Sequence, residues 1–277
     1  MTEIAGKTIL LTGASRGIGF EIARELARRG GTVIGVARSQ QKLDTAREQI
    51  LSEGGTFKGF SFDISQISGL ASLIQSIEAT VGQIDILINN AGIEIYGEFQ
   101  NYSTEEIEQT IGINLIAPME LSRLLLSRML SRDSGHIVNI ASLASKKGHP
   151  YDSIYSASKG GLLLWGDSVR QEIAKTSVKI STVCPGYVSD RGMLADTGIP
   201  APKLSGTSTA TQVACATILA IESNQIEVIV NQDKLTEISS KFFFATWELF
   251  PRFGDLVYHW IGIAKTNYRR INRHSST

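Results

Sequence analysis

From residue 7 to about residue 230 the sequence alternates short, β-prone apolar runs with longer stretches of helical period. This order is typical of βαβ units, in which helices connect the strands of a parallel sheet. Most of the apolar runs are continuous, as expected for strands that helices cover on both faces. We predict seven strands, at residues 8–11, 32–37, 56–62, 84–89, 136–140, 178–184 and 227–230. The chain is therefore expected to form a Rossmann-like, doubly wound α/β fold.

Stretches of helical period lie between these runs, and several of them follow a Ser or Thr suited to cap a helix. Ser103 stands three residues before Glu106, which predicts a capping box at the start of a helix over residues 104–131. The other predicted helices cover residues 18–29, 41–52, 154–175 and 209–221. The segment 188–208 is rich in glycine, proline and small polar residues, which predicts a mobile loop such as a lid over a site.

The composition excludes several classes of protein. Hydrophobic residues make up 42% of the 277 residues, which is too many for a disordered chain. Lys plus Arg equals Asp plus Glu at 27 each, so no overall field attracts a nucleic acid, and none is expected as a partner. Cys184 and Cys215 lie in apolar segments without metal-ligand spacing, so we predict buried thiols, no metal site and a reducing, cytoplasmic location.

A glycine-rich segment, Thr-Gly-Ala-Ser-Arg-Gly-Ile-Gly over residues 12–19, follows the first predicted strand and precedes the first predicted helix. Glycine permits a tight turn and the close approach of a pyrophosphate, which the helix N-terminus then holds with its free N–H groups. The alternative is a tight turn without a ligand, but this context favours nucleotide binding. The candidate contacts are Gly13, Ser15, Arg16, Gly17, Ile18 and Gly19.

The nucleotide is predicted to be NADP(H) in preference to NAD(H). A site for NAD usually places an acidic residue about 20 residues after the glycines, where it binds the ribose. Here the second predicted strand is followed by Arg38, and Arg16 lies within the glycine loop. A guanidinium suits a 2′-phosphate through its paired donors. The alternative is that both arginines are solvated surface residues.

Tyr155 and Lys159 lie four residues apart in a predicted helix, so their side chains share a face. An ammonium beside the phenol is expected to lower the pKa of Tyr155 from its usual value of about 10. Ser142, just after the fifth predicted strand, is expected to donate a hydrogen bond to a substrate oxygen that gains negative charge. Combined with the glycine loop, this pattern predicts hydride transfer between a nicotinamide and a carbonyl or alcohol carbon.

Taken in order, these motifs resemble the short-chain dehydrogenase/reductase family, in its NADP-preferring type, over about residues 5–230. The family's Asn-Asn-Ala-Gly signature matches residues 89–92, and its thirteen-residue step from Ser to Tyr matches residues 142 and 155. The resemblance implies a catalytic tetrad of Asn114, Ser142, Tyr155 and Lys159. It implies that Lys159 also holds the nicotinamide ribose and that Asn114 keeps a water-linked proton path to Lys159. The cofactor contacts that it adds are Asp63, Ile64, Asn90, Ala91, Gly92, Tyr155, Lys159, Pro185, Gly186 and Val188.

One position departs from the family pattern. Four residues after Gly186 the family often has a Thr that contacts the cofactor, and this chain has Asp190 there, preceded by Ser189. An acid near phosphates is unfavourable unless Arg191 or a loop movement screens it. Either Ser189 takes over the contact or the loop is set differently.

By the same resemblance the substrate is expected to meet the loops around the Ser–Tyr pair and after the Pro-Gly turn. The candidates are Leu143, Ala144, His149, Tyr151 and Tyr187. Lys146, Lys147 and His149 could receive an anionic carrier, although a solvated basic loop is the favoured interpretation. Glu94 is interpreted as a solvated loop carboxylate and is assigned no function.

The sequence changes character after residue 230, which we take as the boundary between a catalytic domain, residues 1–230, and a helical extension, residues 231–277. The extension is rich in aromatic residues, and apolar positions at every third or fourth residue from Phe253 to Ala264 predict an amphipathic helix. A basic end follows, at Lys265, Arg269, Arg270 and Arg273. The helix is expected to pack on the domain or on a partner subunit, with contact to a membrane surface or a lipophilic substrate entrance as the alternative.

The sequence therefore predicts an NADPH-dependent carbonyl or keto reductase with Tyr155 as proton donor, acting on a ketone or aldehyde. If the extension forms a lipophilic entrance, the substrate is expected to be lipophilic. Two alternatives stay open, an alcohol dehydrogenase working in the oxidative direction and a noncatalytic NADPH-binding sensor or scaffold. The family resemblance implies a homodimer or homotetramer through the helices near residues 104–131 and 154–175. The expected location is the cytoplasm, with peripheral membrane contact through the extension as an open alternative.

Overall fold

The centre of the fold is a seven-stranded parallel sheet, which confirms the predicted Rossmann-like, doubly wound α/β class. The computed structural model describes residues 2–202 and 205–274. The strands are β1 (Thr8–Thr12), β2 (Thr32–Ala37), β3 (Thr56–Ser61), β4 (Ile86–Asn89), β5 (His136–Ile140), β6 (Lys179–Pro185), the short β7 (Tyr187–Val188) and β8 (Thr207–Ser208), and β9 (Glu227–Val230). The main sheet has the order β3-β2-β1-β4-β5-β6-β9. The order reverses between β1 and β4, where such a sheet opens a crevice at the carboxyl ends of its strands.

Helices cover both faces of this sheet. In chain order they are α1 (Gly17–Arg28), α2 (Gln40–Ser52), α3 (Leu70–Val81), α4 (Thr104–Ile111), α5 (Ala117–Ser131), α6 (Ser153–Glu172), α7 (Met193–Thr197), α8 (Ala210–Ser223), α9 (Lys234–Leu249), α10 (Pro251–Trp260) and α11 (Ile263–His274). On one face α1 packs against α8, and on the other α3 packs against α5.

The hydrophobic core is divided by the sheet into two layers. Leu10 in β1 packs in the layer that contains α3 and α5, whereas the next residue, Leu11, packs in the layer that contains α1 and α8. Both side chains are fully buried. Because neighbouring residues of a strand point to opposite faces, a strand covered on both faces is apolar at every position. This explains the continuous apolar runs of the sequence.

The predicted helix over residues 104–131 is interrupted. The capping box of Ser103 and Glu106 is present, but α4 gives way to a π-helical turn at Gly112–Ile116 before α5 begins. A π-helical turn is frequently found at functional sites. Here it contains Asn114, and the helical period of the sequence continues on both sides of it, so the pattern alone does not reveal the interruption.

The segment 188–208 is more ordered than the predicted loop. The strands β7 and β8 pair in parallel, and the short helix α7 lies between them in the chain. The segment leads directly into α8, which begins with a capping box of Thr209 and Gln212. The pairing of β7 with β8 holds the two ends of the segment together.

The two cysteines lie in different environments. Cys184 is buried in β6 as predicted, but Cys215 is exposed on α8, so the prediction that both are buried is wrong. The reason is the position of Cys215 on α8, which packs one face against α1 and leaves the other, with Cys215, to solvent.

Three helices, α9, α10 and α11, form the extension, where the sequence predicted one amphipathic helix. They pack on the same chain: Lys147 Nζ donates to Asp255 at 2.7 Å, and Asn267 Nδ2 donates to the carbonyl oxygen of Pro150 at 2.9 Å. In the part of the chain that is described, no helix is both long and apolar enough to cross a bilayer. The side chain of Arg273 lies outside the described residues.

Candidate active site

A cavity of about 610 Å³ opens at the carboxyl ends of the central strands. One side, which we call the glycine-loop side, is formed by residues 13–19 and by the segments that follow β2 and β3. The other, the extension side, is formed by residues near the start of α6, by the turn after β6 and by side chains of α9 and α10. The cavity therefore lies where a doubly wound sheet places its ligand.

The glycine loop lacks side chains at positions where its backbone is closely packed. A Cβ added at Gly19 would lie 2.1 Å from the carbonyl oxygen of Gly13, and one added at Gly13 would lie 2.9 Å from Asn90 Nδ2. Gly13 also has a φ of +69°, in the left-handed region that favours glycine. The helix α1 begins at Gly17, and its first N–H groups have no carbonyl partner within the helix. The residues present therefore fit a dinucleotide pyrophosphate.

Asn90 connects the end of β4 to this loop. Its Nδ2 donates to the carbonyl oxygen of Thr12 at 2.9 Å, and its backbone N–H donates to Thr12 Oγ1 at 3.0 Å. The N–H of Ala91 donates to the same hydroxyl oxygen at 3.1 Å. The Asn-Asn-Ala-Gly signature thus fixes the position of the glycine loop as well as lining the cavity.

Every residue predicted to contact the cofactor lies on the cavity wall. These residues are Gly13, Ser15, Arg16, Gly17, Ile18, Gly19, Arg38, Asp63, Ile64, Asn90, Ala91, Gly92, Tyr155, Lys159, Pro185, Gly186 and Val188. Arg38 is accompanied there by Ser39 and Lys42. The guanidinium of Arg16 forms an ion pair with Asp196 of α7 at 2.5 Å, so this arginine also connects the glycine loop to the segment 188–208.

Tyr155, Ser142 and Lys159 meet at the junction of the two sides. The phenol of Tyr155 lies beside the hydroxyl of Ser142, and Lys159 Nζ donates to the carbonyl oxygen of Ile140 at 2.9 Å. Burial disfavours the ammonium of Lys159 and lowers its pKa to about 8.

The expectation that Lys159 lowers the pKa of Tyr155 is wrong for this structure. Burial of the phenol, followed by the negative charges of Glu94 and Asp152, raises the pKa of Tyr155 well above its ordinary value. The ammonium is 5.8 Å from the centre of the tyrosine ring. Tyr155 is therefore a neutral phenol at physiological pH, with a proton to donate.

Asn114, the fourth predicted member of the tetrad, does not line the cavity and is fully buried. Its Oδ1 accepts from the N–H of Ile93 at 2.8 Å, and its Nδ2 donates to the carbonyl oxygen of Ile93 at 2.8 Å and to Ser158 Oγ at 3.0 Å. A Cβ at Gly92 would lie 3.2 Å from Asn114 Oδ1 and 3.4 Å from Lys159 Nζ. Asn114 thus positions the loop that carries Gly92 and Ile93.

The unusual Asp190 is turned away from the cavity. Its Oδ1 accepts from the N–H of Ala210 at the start of α8 at 2.9 Å, and its Oδ2 lies 3.4 Å from Arg191 Nε. A helix N-terminus is a favourable place for a carboxylate. Ser189 Oγ donates to the carbonyl oxygen of Ser208 at 3.5 Å, and neither residue lines the cavity. The second alternative therefore holds, because the loop has a conformation in which neither Ser189 nor Asp190 faces the cavity.

The predicted substrate contacts are only partly brought together. Leu143, His149 and Tyr187 line the cavity, whereas Ala144 and Tyr151 do not. Burial lowers the pKa of His149 to about 4, so it is neutral. The interpretation of residues 146 and 147 as part of a solvated basic loop is wrong. Lys146 forms an ion pair with Glu227 at 2.5 Å, and Lys147 forms one with Asp255 at 2.7 Å.

The interpretation of Glu94 as a solvated loop carboxylate is also wrong. Glu94 lies on the cavity wall and is only partly exposed, close to Tyr96 and to the carboxyl group of Asp152. Tyr96 is buried, and Asp152 has no exposed surface. A single acidic residue in a loop gives no sequence signal of such burial, because the residues that cover it are distant in the chain.

Arg270 is the residue that sequence reasoning misplaced most. It was assigned to a basic helix end, yet it is fully buried between the rings of Tyr96 and Tyr187, at 5.1 and 5.3 Å from their centres. Its Nη1 donates to the Tyr96 hydroxyl oxygen at 3.0 Å and to Asn267 Oδ1 at 2.8 Å. The spacing of Ile263, Asn267 and Arg270 does place all three on one helix face, a signal that could have been used.

The site can carry out a defined type of chemistry. A neutral phenol, a neighbouring hydroxyl and a buried ammonium lie beside a glycine loop that fits a dinucleotide. Such a set can stabilise and protonate an oxygen whose carbon receives a hydride.

Comparison with known proteins agrees with this chemistry. Residues 7–198 match the family model described as short chain dehydrogenase. The chain is 50% identical over 270 residues, or 98% of its length and 94% of the relative's, to the ketoacyl reductase HetN of Nostoc sp.. It is 33% identical over 212 residues, or 73% of its length and 85% of the relative's, to the 3-oxoacyl-(acyl-carrier-protein) reductase FabG of Escherichia coli.

Solved structures share the fold. A metagenomic short-chain oxidoreductase in complex with NADP has a TM-score of 0.71 and 30% identity, and the likeness covers 83% of this chain and 98% of that one. A short chain dehydrogenase/reductase from Burkholderia phymatum in complex with NAD has a TM-score of 0.73 and 24% identity, covering 83% and 90% of the two chains. The second likeness concerns the fold alone.

Proposed function

Because this chain belongs to the short-chain dehydrogenase/reductase family, whose members are oxidoreductases of CH–OH and C=O groups, we propose that it is an NADPH-dependent 3-oxoacyl reductase. One observation carries the proposal. Tyr155, Ser142 and Lys159 lie together on the wall of a cavity, between the glycine loop and an apolar pocket. Two relatives named as ketoacyl reductases, HetN and FabG, support the substrate class.

In the proposed mechanism, residues 13–19 would hold the pyrophosphate of NADPH and Lys159 would hold its nicotinamide ribose. The chemistry that the cofactor would supply when bound is hydride transfer to the carbonyl carbon. The hydroxyl of Ser142 donates a hydrogen bond to the carbonyl oxygen as negative charge develops on it. Tyr155 transfers its phenolic proton to that oxygen, which yields the alcohol. Asn114 keeps the loop beside Lys159 in place through its bonds to Ile93.

The state of Tyr155 suits the reductive direction. The raised pKa of its buried phenol keeps the proton that a reductase must donate. The same site serves the oxidative alternative, and the direction follows from the supply of reduced or oxidised cofactor. A noncatalytic sensor would not need these three groups together.

The preference for NADPH is supported by the residues that follow β2. Arg38, Ser39 and Lys42 lie on the cavity wall there, so two cationic side chains stand where an NAD site usually has an acid. A guanidinium and an ammonium both suit a ribose 2′-phosphate.

A lipophilic acyl chain is supported by the wall that the extension provides. The apolar and aromatic cavity residues of this wall are Phe243, Phe244, Trp247, Tyr258, Ile261 and Ile263. We assign residues 1–230 to the catalytic domain and residues 231–277 to an extension that completes its substrate pocket. Burial of a methylene group against such a wall contributes about 0.8 kcal/mol, so longer chains should bind more tightly.

The outer surface supports two further proposals, a homo-oligomer and contact with a membrane from the cytoplasm. Leu164 of α6 is 70% exposed on one of the helices expected to form the subunit contact. Exposed apolar residues also share the outer faces of α9 and α10, at Leu235, Ile238, Phe242, Leu249, Phe253, Leu256 and Trp260. Exposed Lys241 and Arg252 adjoin them and suit anionic headgroups. Sedimentation of the protein alone and with phosphatidylglycerol vesicles tests both, and a monomer that stays in the supernatant contradicts both.

The test of the proposed reaction is NADPH oxidation with 3-oxoacyl thioesters of increasing chain length. Tyr155→Phe is expected to lower kcat by at least about 100-fold, because the proton donor is lost. Tyr268→Phe, which removes a phenol hydroxyl from a half-exposed ring on α11, is the matched control. Tight NADPH binding without turnover of any carbonyl substrate would favour the sensor or scaffold.

A further inference from the structure

Arg16 is paired with an acid at the place where the phosphate of the cofactor is expected. The sequence predicts that its guanidinium binds the 2′-phosphate of NADP(H), but in the structure its Nη1 donates to Oδ2 of Asp196 at 2.5 Å. Both residues line the cavity, as do Arg38 and Lys42 after β2. The two paired side chains are 54% and 52% exposed, so water and salt screen the ion pair. Such a pair is weak and exchanges with another anion that enters the cavity.

A second ion pair fixes the position of Asp196. The residues just before α7, the helix that contains Asp196, are packed on α1. Arg191 Nη1 donates to Glu21 Oε1 at 2.6 Å, and the side chain of Glu21 is only 6% exposed, so this pair is screened less. A Cβ added at Gly17 would lie 3.4 Å from the Cα of Gly192. The helix α7 therefore stays beside the glycine loop when the exposed ion pair breaks.

The charge of the nucleotide determines whether the exposed pair is disturbed. A phosphate monoester carries about −1.5 to −2 charges at neutral pH and attracts a guanidinium, whereas the 2′-hydroxyl of NADH is neutral. NADPH must break the pair to use Arg16, and the carboxylate that is left then repels the phosphate. NADH makes no such demand and leaves the pair intact.

We propose that Asp196 is a specificity-determining residue for the cofactor, because it competes with the 2′-phosphate of NADPH for the guanidinium of Arg16. Its carboxylate lowers the affinity for NADPH and leaves the affinity for NADH unaffected, so it limits the preference that Arg16 and Arg38 create. NADP⁺ keeps the same phosphate, so the competition also favours release of the spent cofactor, a step that often limits turnover. The inference rests on the proposed use of NADPH and identifies the residue that sets its strength.

The test is the dissociation constant of NADPH and that of NADH, each measured by fluorescence titration with the full chain. In Asp196→Asn the negative charge is lost with little change of shape. NADPH is therefore expected to bind at least about fivefold more tightly, while the Kd of NADH stays within about twofold. Because the ion pair is exposed, the gain should shrink when the salt concentration is raised from about 0.02 M to about 0.5 M.

Arg16→Gln separates competition for the guanidinium from simple repulsion of the phosphate. Alone it is expected to weaken NADPH binding at least about fivefold. When both substitutions are combined, the gain from Asp196→Asn should fall to within about twofold, because no guanidinium is left to compete for. The matched control is Asp167→Asn, which removes the acid from the ion pair of Asp167 and Arg170 on α6, neither of which lines the cavity.

Three results would overturn the inference. They are an unchanged NADPH affinity in Asp196→Asn, weaker binding of both nucleotides in that variant, and a full gain that persists in the double variant. Weaker binding of both nucleotides would mean that the ion pair only holds α7 over the cavity. The proposed function fails on other results, namely no reduction of a 3-oxoacyl thioester by the unaltered protein, or tighter binding of NADH than of NADPH. Neither of these alters the differences in Kd between the variants.

Discussion

The two sides of the cavity are built in different ways. The glycine-loop side uses backbone groups from short contiguous segments that directly follow strands, such as residues 13–19 after β1. The extension side uses side chains from segments that are far apart in the chain, such as those of Glu94, Tyr187 and Trp247. The first side presents the same backbone surface for any nucleotide of its class, whereas the second is set by the packing of this particular chain. Cofactor binding and substrate selection should therefore respond to different substitutions.

The largest effect is expected from Gly19→Ala on the glycine-loop side. The added Cβ would lie 2.1 Å from the carbonyl oxygen of Gly13, so the loop must move away from its pyrophosphate-binding form. We expect NADPH affinity to fall by at least about 100-fold, measured by fluorescence titration. Gly148→Ala, where no atom lies within 4 Å of the added Cβ, is the control. Unchanged affinity in Gly19→Ala would show that the loop does not hold the cofactor.

The next effect is expected from Arg270→Met on the extension side. Loss of a buried charge that donates to Tyr96 should lower the free energy of unfolding by about 3 kcal/mol. It should also lower kcat/KM at least about tenfold while NADPH affinity stays within about threefold. Arg269→Met, which alters the exposed neighbour in the chain, is the control for thermal melting and kinetics. Parallel losses of affinity and turnover in Arg270→Met would contradict the separation of the two sides.

A smaller effect, confined to the choice between two cofactors, is expected from Arg38→Ala. Removal of the guanidinium should lower kcat/KM for NADPH about tenfold and leave the value for NADH within about threefold, because only NADPH has a 2′-phosphate. The exposed Arg47 of α2 provides the matched control, Arg47→Ala. An equal change with both nucleotides would mean that Arg38 does not recognise that phosphate.

Most of the fold could be predicted from the sequence because a strand buried on both faces must be apolar throughout. The bounds of β2, β5 and β9 agree with the continuous apolar runs. The glycine loop was equally predictable, since strand, glycine turn and helix are adjacent in the chain. The π-helical turn around Asn114 was not, because helical periodicity is retained on both sides of it.

The extension side of the site was the least predictable part. Glu94 and Asp152 were not identified because carboxylates in loops are usually solvated, whereas Asp152 is fully buried and Glu94 lies on the cavity wall. Asp190 was taken for an acid near phosphates because its hydrogen-bond partner, the N–H of Ala210, is twenty residues away in the chain. Contacts of this kind follow from tertiary packing and have no local pattern.

The position of Arg270 and Asn267 in α11 also orders the events of synthesis. A ribosome adds all seven strands of the main sheet and the whole glycine loop before it reaches residues 263–274. The last wall of the pocket for the second reactant therefore comes from the part of the described chain that is made after every strand of the sheet.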